Sequence, residues 1–222
     1  MPASTLGALH ATAEVELPPA VIVDDVERAA LLGLARLALA AAIGAVGGAE
    51  LRSALEAFEA ASGTIRRAAV FVTLTEAGEL RGCIGTLDPS ESIADAVAAA
   101  AVSAALHDPR FPPVTRTELP ALTLEVSVLG PLVVLADPTR FRLGVDGLVV
   151  ERGRQRGLLL PEVAATAGFD TISMLDGTCR KAGLPPGAWR DHRTSVLAFR
   201  TIRFGGPAIA EPAPGRTASD RR

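Results

Sequence analysis

Between Asp24 and Gly63 the apolar positions recur at helical spacing. Asp24 and Asp25 supply N-cap oxygens, and negative charge for the positive end of a helix, over about 25–43. Leu51, Leu55 and Phe58, at spacings of four and three, mark a second helix over about 49–61 that Gly63 ends. The period then drops to two. Ala69–Leu74 and Glu79–Ile84 are apolar and β-branched runs separated by Glu76-Ala77-Gly78, the pattern of an antiparallel hairpin. Ser90 or Ser92 caps a helix over about 92–106, with Asp95 in capping-box spacing after Ser92. Its Ala-rich body, with Ile93, Val97, Ala101 and Ala104 on one stripe, predicts close packing against a sheet.

Three prolines between Asp108 and Pro113 end that helix in a rigid loop. Leu122, Leu124, Val126 and Val128 then alternate with polar residues as a half-buried strand does. Val145–Glu151 and Arg156–Leu160, split at Gly153, predict a second hairpin. Helices over 162–167 and 171–182 follow, closed by Gly168 and Gly183, and Ser195–Phe204 alternates as one final strand. Pro18-Pro19 bars a helix near the start, so residues 1–23 are expected to form a flexible leader. Residues 205–222, rich in Gly, Pro and charge, are expected to be a disordered tail on a domain spanning 24–204. Hairpins mixed with irregularly spaced helices predict an α+β fold, with an antiparallel or mixed sheet flanked by helices.

Composition narrows the function classes. At 222 residues and 49% apolar content the chain can bury a sizeable core, and its net charge of -3 gives no pull toward nucleic acid or acidic membranes. Ala29–Val46 has the length of a membrane span, but Arg36 sits in its middle and Gly44, Gly47 and Gly48 close it, so it is read as a buried helix. Two distant cysteines make no disulfide framework, and the N-terminus lacks a secretory pattern. The expected location is the cytoplasm.

The chemistry centres on Arg81-Gly82-Cys83-Ile84-Gly85-Thr86. If the strand is unbroken, Arg81 and Cys83 share one face, and a cation beside a thiol lowers its pKa. Gly82 and Gly85 leave room for another molecule or strand to approach the backbone, with Thr86 beside them as a ligand contact. Cys83 can equally be a packed apolar side chain. Cys179, on a predicted helix ahead of Arg180 and Lys181, is a weaker catalytic candidate. His107-Asp108 could supply an oriented base, although His107 more simply ends its helix while Asp108 opens a turn; Arg110 could hold an anionic group. Cys83, His107, Cys179 and His192 share no metal-ligand spacing, and no metal is expected. Arg152–Gly157 reads as a charged hairpin turn rather than a phosphate loop or a site for an acidic partner. Trp189 is expected to lock its loop onto the core.

The string LRGCIGTL resembles the signature of the AMMECR-type domain family. In order after it come ALHDPRFPP (105–113), EVSVL (125–129), LLLPEVA (158–164) and CRKAGL (179–184). The resemblance covers roughly residues 25–204 and implies an α+β fold with a larger and a smaller subdomain. It extends to the A component of the AmmeMemoRadiSam system, which implies a modification pathway shared with Memo-like and radical S-adenosylmethionine proteins. The chain departs from the family pattern at Asp146 (often His), Glu162 (often Gln) and Phe169 (often Trp). Two readings stand. In one, Cys83 is a nucleophile or redox thiol, Arg81 its activating cation, and backbone N–H groups near Gly82 and Gly85 oxyanion donors. In the other, the same groove only binds a ligand or protein, with Arg81 and Arg110 pairing with its anionic group.

Overall fold

The computed structural model describes residues 16–18, 23–63 and 65–209. The described residues divide into two compact units, a larger one of residues 23–63, 65–131 and 201–209 and a smaller one of residues 16–18 and 132–200. The fold is α+β with two wholly antiparallel sheets.

In the larger unit, α1 (Asp25–Ala42) and α2 (Gly48–Ser62) lead into a sheet of β1 (Val70–Glu76), β2 (Glu79–Thr86), β3 (Leu122–Leu129) and β8 (Thr201–Pro207), ordered β2-β1-β3-β8. Asp24 and Glu27 close a reciprocal capping box at the start of α1. Gly63, at φ 65°, ends α2 in the left-handed conformation. Ser92 caps α3 (Ile93–Leu106) through the Asp95 amide. Val70, Val72 and Leu74 of β1 and Leu122, Leu124, Val126 and Val128 of β3 are buried with Leu31, Ala35 and Leu39 of α1 and Val97 and Ala101 of α3 in one core. Nine residues of α3 are buried, because α1 lies on one side of it and β1 and β2 on another. Alanine permits that double contact: its small side chain lets helix and sheet backbones come close. Arg36 is no span-breaking oddity, since its Nε donates to the Pro207 carbonyl at 2.8 Å. Among the described residues no helix is long and apolar enough to cross a membrane.

In the smaller unit the sheet order is β4-β7-β5-β6, from β4 (Val133–Val134), β5 (Gly147–Arg152), β6 (Gln155–Leu159) and β7 (Ser195–Phe199). Helices α4 (Glu162–Thr166) and α5 (Thr171–Lys181) follow β6, and Gly168 and Gly183 both adopt positive φ at their ends. Leu148, Val150, Met174, Leu175 and Trp189 belong to the core of this unit. Trp189 donates its indole N–H to Asp176 at 2.8 Å, and the Gly187 amide donates to the same oxygen at 2.7 Å, which pins the loop before it. Arg152 reaches the Thr194 hydroxyl and the Ala188 carbonyl, and Arg156 pairs with Glu151, so two arginines of the charged hairpin are engaged within the chain.

Three expectations change. Ser195–Phe204 is two strands that part at Arg200: β7 joins the smaller unit's sheet and β8 the larger one's. Leu17 and Val23, placed in the leader, are buried in the cores of the smaller and larger units respectively, because both are apolar and find a pocket there; the rest of the leader is almost wholly outside the described residues. The expected tail begins too early, since Gly206 and Pro207 pair with Leu124 and Thr123 and Ala208 is buried with its N–H on the Leu122 carbonyl. Residues beyond 209 lie outside the described residues. A chain ending at Gly205 is accordingly expected to be less stable than one ending at Ile209 by roughly 1–3 kcal/mol, through lost ladder bonds and one exposed apolar patch, in matched thermal melts.

Candidate functional site

The strand that carries the thiol is at the edge of its sheet. Ala77 and Gly78, both at positive φ, form the two-residue turn between β1 and β2, the geometry that matches strand twist. Pairing starts as Glu76↔Glu79 and Thr75↔Leu80, then slips by one so that Leu74 faces Gly82 and Thr73 faces Cys83. Arg81 is the extra residue of this bulge. The strand is therefore not unbroken, and the simple alternation that joined Arg81 to Cys83 is interrupted at Arg81.

Beyond the bulge, Gly82 is turned toward α3: a Cβ there would lie 2.1 Å from the Ala104 carbonyl oxygen. Cys83 therefore faces the other side of the sheet, half-buried, where its Sγ accepts from the Thr73 hydroxyl at 3.3 Å. A Cβ at Gly85 would meet the Val70 carbonyl at 2.1 Å and the Phe71 ring at 2.5 Å. The close approaches that these two glycines permit are thus made by the chain itself. Thr86 turns its hydroxyl to the Asp88 amide at 3.0 Å, closing the bend after β2.

The loop after α3 folds back onto this edge. His107 is the C-cap residue, exposed, with its N–H on the Ser103 carbonyl. Asp108, only 4% exposed, accepts the Cys83 N–H at 2.8 Å, while the Arg110 guanidinium donates to the Cys83 carbonyl at 3.2 Å. Arg110 also grips both Asp108 oxygens, at 2.9 and 2.6 Å. A carboxylate and a guanidinium thus take the two ladder positions that a neighbouring strand would fill. Arg110 holds the Asp108 carboxyl far below the usual carboxylate range; burial opposes this, and the Cys83 and Arg110 amides add to it. Asp108 is turned to Cys83 and Arg110, so the His107-Asp108 pair is not an oriented base.

Arg81 donates from Nε to Glu118 at 2.8 Å, and Glu118 also accepts from the Thr115 amide and hydroxyl, each at 2.7 Å. Arg81 first, then Thr115, lowers the Glu118 carboxyl to about 2. A depressed folded-state pKa gives stability that is complete above the unfolded value and is lost as pH falls. Unfolding free energy is expected to decline from about pH 4.5 toward about pH 2, and Glu118→Gln to flatten part of that slope in urea titrations.

Cys179 is not part of this arrangement. It lies on α5 in the core of the smaller unit, fully buried, and burial pushes its thiol up, which disfavours the reactive thiolate. Both cysteines are free thiols. Among the described residues no group of three or more His, Cys, Asp or Glu could hold a metal ion.

A family model described as AMMECR1 matches residues 32–204, which include the bulged strand, the loop that clamps it, the smaller unit's sheet and the larger unit's sheet as far as the first half of β8. The chain belongs to the AMMECR1 family. It is 52% identical over 145 residues to a protein of Methanothermobacter thermautotrophicus, a match covering 63% of this chain and 76% of that one. It is 49% identical over 125 residues to protein Mbar_A1807 of Methanosarcina barkeri, covering 54% of this chain and 62% of that one. The crystal structure of the uncharacterized protein PH0010 from Pyrococcus horikoshii superposes with a TM-score of 0.66 at 35% identity, covering 80% of this chain and 91% of that chain. In this AMMECR1-family protein the residues that sequence reasoning missed are Thr73, whose facing partner depends on the bulge, and Glu118, which lies far from Arg81 in sequence. Asp108 was visible as half of a candidate base and as a turn residue, not as the clamp on the Cys83 backbone.

Proposed function

We propose that this AMMECR1-family chain acts as a ligand- or protein-binding module at the Cys83 face of β2, with the thiol as a contact and not as an activated nucleophile. The observation that carries this reading is the commitment of the charged neighbours. Arg81 is neutralised by Glu118, and Asp108 and Arg110 are joined to each other and to the Cys83 backbone. A nucleophile needs an adjacent base or an uncompensated cation, and here each guanidinium is paired with a carboxylate, with Arg81 Nη1 left buried and unbonded and Arg110 also interacting with the Cys83 charge. The partners proposed are Memo-like and radical S-adenosylmethionine proteins, on family resemblance, in the cytoplasm.

One observation favours the thiol reading as a second possibility: the Thr73 hydroxyl donates to Cys83 Sγ, and such a bond stabilises a thiolate. Iodoacetamide labelling of folded protein across a pH series separates the two. For a binding module, Arg81→Ala and Thr73→Val leave the pH midpoint of labelling where it is in the parent protein, and Cys83→Ser keeps partner capture. A midpoint that rises in Thr73→Val, with Cys83→Ser abolishing pathway activity in a correctly folded protein, overturns the module and establishes the thiol site.

A further inference from the structure

We propose that the stretch of β2 beyond the Asp108–Arg110 clamp, with the adjoining flank of α3, receives an extended, basic segment of a partner protein by strand addition. This surface is separate from the Cys83 face and the proposal does not depend on that reading.

The bonds to Asp108 and Arg110 show that the Cys83 N–H and C=O point away from β1, off the edge of the sheet. In an antiparallel strand that orientation repeats every second residue, so the Gly85 N–H and C=O point off the same edge. Among the described residues Gly85 makes no main-chain hydrogen bond outside the β1–β2 ladder. Exposed strand edges are ordinarily covered or charged. Here the cover stops at Cys83.

Room for another strand lies beside the uncovered part. A hollow of about 230 Å³ runs between Gly85 and Thr86 on β2 and Ala96, Ala100 and Ser103 on α3. The α3 wall is built of small residues, which leaves space for side chains from an added strand. Ser90, Glu91 and Ala99 line both this hollow and a second one of about 530 Å³, so the groove continues toward Ile65, an isoleucine 66% exposed. Glu59, Asp88, Glu91 and Asp95 border the two hollows against a single arginine, Arg67. Main-chain pairing at Gly85, an apolar contact at Ile65 and four carboxylates together fit an extended peptide alternating basic and apolar residues.

The test uses the whole protein and a fluorescein-labelled heptapeptide of alternating lysine and valine. Anisotropy titration is expected to saturate, with binding at least about tenfold weaker for a glutamate-for-lysine peptide, for a peptide N-methylated at alternate amides, and for the Asp88→Lys/Glu91→Lys protein. Ala99→Arg, at an exposed helix position, is expected to weaken binding equally and to leave the circular dichroism spectrum unchanged. Bound peptide is expected to slow amide exchange at Gly85. Absence of saturation at millimolar peptide overturns the proposal. So does equal binding of the N-methylated peptide without protection of Gly85, which is attraction by charge alone. Protection on β8, the opposite edge of the sheet, or occupation of the β2 edge by a second copy of this chain in sedimentation experiments, overturns it as well.

Discussion

Gly82→Ala is expected to destabilise the larger unit by about 3 kcal/mol or more, read as a lower urea midpoint. The added methyl would lie 2.1 Å from the Ala104 carbonyl oxygen, a main-chain atom near the end of α3, and the next nearest atoms are main chain too. No flexible side-chain end is available to move aside, so the helix must lift from the strand. Val97, Ala101 and Ala104 of α3, packed in the same core as β1, would then lose close contact. Gly33→Ala is the contrasting case: Gly33 is exposed on α1 with nothing within 4 Å of a new Cβ, and a gain of about 0.5–1 kcal/mol is expected from helix propensity alone. Equal effects from the two alanines would show that Gly82 is not a close-approach position.

Asp108→Asn is expected to cost about 2–3 kcal/mol and to speed amide exchange at Cys83. The carboxylate accepts from four donors through two oxygens: Cys83 N–H and Arg110 Nη2 on one, Arg110 N–H and Nε on the other. An amide has one oxygen and one NH2, so two of those donors lose their acceptor whichever way the group turns. The folded-state carboxyl is held far below its reference value of 3.8. The stability difference between parent and variant should therefore be complete above about pH 4 and shrink as the pH falls further. A difference that is constant with pH would assign the loss to shape and not to charge.

Local signals carried most of the fold. The Asp24 and Ser92 caps, the glycines after α2, α4 and α5, and the two hairpins sit where propensity and period place them. What failed was long-range. Ser195–Phe204 reads as one strand-forming run, and nothing in its local pattern reports that Ser195–Phe199 and Thr201–Pro207 join different sheets. The candidate site was legible as a position but not as a mechanism. A two-residue turn at Ala77-Gly78 with no bulge would set Gly82 opposite Thr73; the extra residue at Arg81 moves Cys83 there instead. The partners that occupy Arg81 and Cys83 come from Glu118 and Asp108, distant residues that only the folded chain brings into contact.

The division at Arg200 also sets an order of events during synthesis. The last strand of the larger unit's sheet, β8, pairs with β3 through Leu129↔Thr201 to Thr123↔Pro207, yet residues 132–200 of the smaller unit are made between them. A nascent chain therefore emerges with β3 unpaired on one side until Pro207 has cleared the ribosome. By then every strand of the smaller unit is already available to fold. For that interval the outer edge of β3 is an open template for wrong pairing, and slowed translation just before residue 201 would lengthen the exposure.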